Sequence, residues 1–134
     1  MDRRNPRVMT IRRAGNATPT PAGISNAPFW FENLVEGGGD GDIAAVRADL
    51  APGVITRWHS HPQGQLLYVL SGIGLAQVQG GQVQELRAGD AVWFGQNEKH
   101  WHGAAPRAAF SYLSVQAWQD GRNVDWFEEV EGIA

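Results

Sequence analysis

From Asp42 to about Trp118 the chain alternates apolar and polar residues in short runs. Glycine-containing turns break it roughly every 8 to 12 residues, the pattern of a β-sandwich or β-barrel. In "IAAVRADL" the even positions Ala44, Val46, Ala48 and Leu50 are apolar while Arg47 and Asp49 are charged, so the even face is expected to point inward. The same parity near the end of the domain turns Phe110, Tyr112, Ser114 and Gln116 inward and Leu113 and Val115 outward. "LAQVQGGQVQEL" predicts a hairpin turning at Gly80-Gly81 in a type I′ loop, with Val78 opposite Val83. No helix of ordinary length is predicted, and only "VDWFEEV" at 124–130 has the spacing of a short terminal helix. The expected fold class is all-β.

Residues 1–28 contain Pro6, Pro19, Pro21 and Pro28 among Gly, Asn, Ser and Thr, and predict an N-terminal arm lying along the fold rather than a strand or helix. Residues 29–134 are then expected to form a single domain, as a chain of 134 residues allows. "VEGGGDGD" at 35–42 lacks the Gly-Lys-Ser/Thr ending of a phosphate loop and reads as a turn. Five arginines fall within the first 13 residues, but Asp2 and Pro6 interrupt any basic amphipathic helix there, leaving a solvated tail. No internal repeat is visible.

Composition narrows the choice of partners. A net charge of -3 provides no basic stripe for a phosphate backbone, so no nucleic-acid partner is expected. No apolar run approaches 18 residues and the N terminus has no signal-peptide core, so no membrane association and a cytoplasmic location are expected. With no cysteine there is neither a disulfide framework nor a thiolate, and any metal must be held by nitrogen and oxygen. Of the six tryptophans, Trp30, Trp93, Trp118 and Trp126 are expected to supply core or interface bulk rather than a cofactor stack.

All four histidines lie in two His-x-His pairs, His59 and His61 in "RWHSHPQGQ" and His100 and His102 in "EKHWHG". On a strand, residues two apart share a face, so two such pairs can converge inside a barrel. Imidazole suits divalent transition metals, and hydrogen-bonded core histidines are the alternative. Lys99, beside His100, faces the opposite way by parity, and Glu98 lies in a turn where parity fails, so neither is a candidate.

Reading outward from the first pair gives Gly53, five residues, His59, Ser60, His61, three residues, Gln65, six residues and Gly72. This resembles the first motif of the cupin superfamily, with Gln65 where Glu is usual. The second cupin motif is matched at Gly89 and His100, while Gly95 replaces its Pro, Asn97 its second Gly and Ala104 its Asn. Asn tolerates the left-handed backbone region, so the turn at Asn97 can survive. Covering residues 42 to 118, the resemblance implies a double-stranded β-helix or jelly-roll barrel with His59, His61, Gln65 and His100 as ligands of one divalent metal ion.

Within that superfamily "RWHSHPQGQLLYVLSG" and "GDAVWFGQNEKHWHGAAP" resemble the small single-domain bacterial cupins that include manganese-dependent hydroxynitrile lyases, kin to carboxymuconolactone decarboxylase-associated cupins. That resemblance implies manganese first, with iron, zinc, nickel or cobalt as alternatives, and places His102 and Gln116 in the pocket. A neutral Gln65 would leave the full metal charge to act as a Lewis acid, with His102 moving a proton and Gln116 orienting a small-molecule substrate. His102 as a fifth ligand or a structural residue stays open. Val46, Ala48, Phe110 and Tyr112, with Leu67 and Val69, would line an apolar cavity or fill an ordinary core.

Arg57, two residues before His59, is turned by parity toward the ligands. There it would bind a substrate carboxylate, or else sit at the barrel mouth paired with an acid. An acid-base lyase acting on a small hydroxy or carbonyl compound leads the functional readings, ahead of a non-haem dioxygenase and a non-catalytic sensor or carrier. Outward Leu113 and Val115 with Trp126 and Phe127 suggest a homodimer, with packing under the terminal segment as the competing account.

Overall fold

The computed structural model describes residues 9–132. Arg3, Arg4, Pro6 and Arg7 of the arm lie outside them. Among the described residues ten strands run in chain order: β1 (Thr18–Pro19), β2 (Trp30–Val35), β3 (Ile43–Leu50), β4 (His59–Ser60), β5 (Gln65–Val78), β6 (Gln84–Arg87), β7 (Ala91–Phe94), β8 (His100–Ala104), β9 (Phe110–Ala117) and β10 (Asp125–Trp126). No α-helix occurs among the described residues, and no helix there is long and apolar enough to cross a membrane. The described residues form an all-β fold.

All strand pairings are antiparallel, and the 14-residue β5 joins two sheets. Its first half pairs with β9 and β7, and the order β1-β2-β3-β9-β5 continues that layer outward. A register shift between Val69 and Ser71 bends β5, and its second half pairs with β6 and β8, from which β4 and β10 extend the other layer. Period-two burial holds along β9, where Phe110, Tyr112, Ser114 and Gln116 are buried and their neighbours half-buried. On β3, Ala44, Ala48 and Leu50 are buried as expected, with Val46 half-buried. Leu67, Val69, Phe94, Phe110 and Tyr112 pack with Ala48 and Leu50 as one core between the layers.

Three local expectations are corrected. The segment expected as a terminal helix instead forms β10, because Asp125 and Trp126 pair with Ser60 and His59 and so cover the free edge of β4. The hairpin is in a different register: Ala76 faces Gln84, while Val78 pairs with His100 because β5 continues along β8. Its turn runs from Val78 to Gly81, closed by the Gly81 N–H donating to the Val78 carbonyl, with Gly80 alone of the two glycines at positive φ. The arm also forms a strand, since β1 pairs with Trp30 and Phe31.

Trp30 and Trp93 are 55% and 62% exposed because they occupy outward positions of β2 and β7, so neither belongs to the core. The fully buried tryptophan is Trp101, whose indole N–H donates to Gln77 Oε1 at 2.8 Å.

Motif positions explain themselves in the backbone. Asn97 sits at φ 60°, in the left-handed region its motif position requires. Gly72 has φ +81°, and a Cβ built there would lie 1.8 Å from the Ala109 carbonyl oxygen, so the glycine allows β9 to approach β5. Gly72→Ala is therefore expected to cost about 3 kcal/mol or more, or to prevent folding. Gly80→Ala, at φ +84° with open space around it, is expected to cost only the ~1–2 kcal/mol of backbone strain. Urea unfolding of the two variants checks the contrast; equal losses would contradict it.

Candidate metal centre

The four histidines cluster at β4 and β8, and three of them, His59, His61 and His102, line one cavity. His59 and His100 are directly opposed in the β4–β8 pair, while His61 follows β4 and His102 lies two residues beyond His100 on the same face of β8. All four are buried. One nitrogen from each of His59, His61 and His100 lies within 4.8 Å of the others, and His102 is not part of that group. Its ring centroid is 5.2 Å from that of His59 and 6.0 Å from that of His100.

Backbone carbonyls fix the three tautomers. His59 Nδ1–H donates to the Arg57 carbonyl at 2.8 Å, His61 Nδ1–H to Asn123 at 2.7 Å and His100 Nδ1–H to Glu98 at 2.8 Å. A carbonyl can only accept, so each Nδ1 carries the proton and each Nε2 presents a lone pair. Phe94 stacks on His100 at 3.6 Å between centroids, holding the plane of that ring.

Gln65 joins the group through a chain of amides and a hydroxyl. It stands directly opposite Gln116 in the β5–β9 register, so both side chains share a face. Gln65 Nε2 donates to Ser114 Oγ at 3.0 Å and to Gln116 Oε1 at 3.1 Å, Ser114 Oγ donates to Gln116 Oε1 at 2.6 Å, and Gln116 Nε2 donates to the Ala44 carbonyl at 3.2 Å. With its nitrogen committed, Gln65 turns Oε1 toward the histidines, 3.0 Å from His100 Nε2.

That arrangement fits a cation. Gln65 Oε1 and the unprotonated His100 Nε2 are both acceptors, and facing lone pairs repel unless a positive charge lies between them. About 3 Å is also the separation of neighbouring N and O donors around a divalent ion with bonds near 2.1 Å. His61 Nε2 is buried with no hydrogen-bond partner, an orphan acceptor of the kind a metal satisfies. Nitrogen and oxygen donors of this type suit a divalent transition metal.

Burial holds every imidazole in the neutral form, which for His59, His61 and His100 is the form that can ligate. It lowers His59 and His102 well below the ordinary histidine value, with neighbouring imidazoles adding to the effect, and lowers His61 and takes His100 down to about 3. Tyr112, also buried, is pushed upward and remains a phenol. Its hydroxyl lies 3.0 Å from His102 Nε2, while His102 Nδ1 is buried and unpartnered.

The cavity has a volume of about 180 Å³, and Val46, Ala48, Tyr112, Ser114 and Gln116 line it together with His59, His61, Gln65 and His102. Phe110 and Arg57 do not. Phe110 lies deeper in the core, its ring 5.2 Å from that of Tyr112. Arg57 reaches Glu129 at 3.4 Å, because regular strand begins only at His59 and parity does not carry back across the irregular residues before it. Gln116 lines the cavity, but both ends of its amide are engaged by protein, so it orients Gln65 before it can orient anything else.

Three groups of wall residues had no signal in the sequence. Thr20, Pro21, Ile24 and Phe29 come from the N-terminal segment, Thr56 precedes the first histidine, and Asn123, Val124 and Trp126 come from the C-terminal one.

A jelly roll carrying three convergent imidazoles and a glutamine defines a small β-barrel protein equipped to hold a metal. Residues 46–116 match the cupin domain model, and the chain belongs to the cupin family. It is 41% identical over 124 residues to an (R)-mandelonitrile lyase of Granulicella tundricola, covering 91% of this chain and 95% of the relative. Among solved structures it resembles a cupin-like protein of Thermotoga maritima with a TM-score of 0.77 and 29% identity over 90% of each chain. The polyketide cyclase RemF of Streptomyces resistomycificus shares the fold at a TM-score of 0.72, with 19% identity over 92% of this chain and 89% of its own.

Two expectations follow. His59→Ala and His100→Ala should each leave the purified protein with far less metal than wild type, since each removes one donor, and elemental analysis at full occupancy would contradict this. Metal-free protein should also lose stability as pH falls below about 6.5. The folded histidines resist protonation while the unfolded ones accept it, so the contribution is complete above the unfolded value and declines below it. The slope is about 1.4 kcal/mol per pH unit for each imidazole that stays neutral. Urea unfolding of chelated protein between pH 7.5 and 5 checks this; a flat profile would contradict it.

Proposed function

We propose that the protein is a metal-dependent lyase that cleaves neutral aromatic cyanohydrins to an aldehyde and hydrogen cyanide, with manganese as the preferred ion. The observation that carries this reading is the 41% identity to a relative named (R)-mandelonitrile lyase across nearly the whole of both chains. The cavity supports it. Apolar groups such as Ile24, Phe31, Val46 and Trp126 offer a surface for an aryl ring, and no lysine or arginine lines the wall to pair with a substrate carboxylate.

His59, His61, His100 and Gln65 would hold the ion. When bound, it supplies positive charge that polarises the substrate oxygen. His102, neutral because it is buried and close enough to line the cavity, accepts the hydroxyl proton. The bond from carbon to the nitrile then breaks with its electron pair leaving as cyanide, and the carbon–oxygen double bond forms. Burial disfavours the imidazolium, so His102 returns the proton to cyanide and hydrogen cyanide departs. Tyr112 steadies His102 through its hydroxyl, and the apolar walls keep water from the reacting carbon.

We further propose a homodimer, for which the outward faces of β5 and β9 offer a surface. Leu66 opposes Val115 and Tyr68 opposes Leu113 there, with Leu66 and Tyr68 exposed. Trp126, on β10, lies at the far edge of the other layer, and Phe127 follows it, so neither belongs to this face. A dimeric mass by light scattering is expected, and a monomeric one at high concentration would contradict it.

The manganese form is expected to convert mandelonitrile to benzaldehyde. His102→Ala should retain its metal and lose roughly 10²- to 10⁴-fold in turnover. Arg57→Ala should leave substrate preference nearly unchanged. A manganese-loaded wild type that leaves a panel of cyanohydrins untouched would refute the lyase reading while leaving the metal site intact. If His102→Ala lost its metal as completely as His100→Ala, His102 would be a ligand instead of the base.

A further inference from the structure

The segment that ends the described chain pairs with β4 and reaches Lys99, the residue before β8. The Asn123 carbonyl accepts the His61 Nδ1–H at 2.7 Å, and the Trp126 ring lies 4.8 Å from the ring of His59. Phe127 N–H donates to the Trp58 carbonyl at 2.8 Å, and Trp58 N–H donates to Glu128 at 3.1 Å. Two ion pairs anchor the far end: Lys99, next to His100, meets Glu128 at 2.7 Å, and Arg57, whose carbonyl holds His59, meets Glu129 at 3.4 Å.

This same segment is part of the cavity wall. Asn123, Val124 and Trp126 line the metal cavity, and with Phe31, Val46 and Gln116 they also line an adjoining cavity of about 500 Å³. β10 contributes two paired residues, and with the two bonds between Trp58 and residues 127 and 128 only a short ladder opposes its release. We propose that residues 123–129 form a latch over the metal site, which opens to let the ion exchange and, when closed, retains it by aiming His61 through the Asn123 carbonyl.

The inference rests on the metal reading of the histidine cluster. It requires reciprocity: if a closed latch slows loss of the ion, the bound ion must stabilise the closed latch by the same free energy.

Both sides can be measured on the full-length protein. Glu128→Gln with Glu129→Gln removes the two ion pairs at side chains that are 63% and 74% exposed, so the fold should survive. Release of zinc to excess chelator is expected to be roughly two- to tenfold faster than in wild type, the range that two exposed ion pairs support. Arg47→Met, which breaks an ion pair with Asp49 on β3, away from the site, should leave release unchanged. Hydrogen exchange at the Phe127 and Trp58 amides should slow when zinc is added to chelated wild type.

Equal release from wild type and the double variant, or equal acceleration in Arg47→Met, would overturn the latch while the metal site stands. Unchanged exchange at the two amides on zinc binding would overturn it too. A wild type that takes up no zinc would overturn the metal reading, and the latch with it.

Discussion

Everything at this centre depends on three hydrogen bonds from histidine Nδ1–H to main-chain carbonyls. An imidazole has two nitrogens, and only when one is committed as a donor does the other become a dependable ligand. For His59 and His100 the acceptor lies two residues back on the same chain, so the local backbone that forms each strand also sets the tautomer. For His61 the acceptor is Asn123, 62 positions away, which makes one donor contingent on the C-terminal segment. Gln65 is oriented by the same logic, its amide nitrogen spent on Ser114 and Gln116 so that its oxygen alone faces the histidines.

Such a centre opposes folding in the absence of an ion. Four imidazoles are buried close together, one with an orphaned Nε2 and another with an orphaned Nδ1, and a glutamine oxygen is pressed against a nitrogen lone pair. Each unsatisfied buried group costs on the order of 1–3 kcal/mol. The surrounding core, with Leu67, Val69, Trp101 and Phe110 almost wholly excluded from solvent, holds the strands in place despite that cost. A divalent ion reverses the sign of most of the local problem, because the lone pairs of His61 Nε2, His100 Nε2 and Gln65 Oε1 become its ligands.

Much of this was legible in the sequence wherever a residue lies on a regular strand. Period-two alternation placed Val46, Ala48, Tyr112, Ser114 and Gln116 on the inner face, and the His-x-His spacing put His59 with His61 and His100 with His102. Parity failed where the strand is irregular or absent: Arg57 precedes β4 and turns to Glu129. The hairpin register departs from the one its Gly-Gly turn favours because the longer alliance of β5 with β8 overrides that local preference. The terminal "VDWFEEV" has no intrinsic strand signal, and pairing with the edge of β4 decides its conformation. Asn123 was invisible for a more basic reason: it acts through its carbonyl, which every residue type possesses.

The central claim is that three Nδ1-protonated imidazoles aim Nε2 at one divalent ion. Nitrogen-15 NMR of histidine-labelled protein, recorded chelated and then with one equivalent of zinc, tests it most directly because it reads each ring nitrogen separately. The account requires His59, His61 and His100 to carry the proton on Nδ1 in both states, with only their Nε2 resonances moving on zinc addition while His102 keeps both nitrogens off the metal. Protonation of any of the three at Nε2, or zinc-dependent shifts at His102 Nδ1 equal to those of the other three, would contradict it.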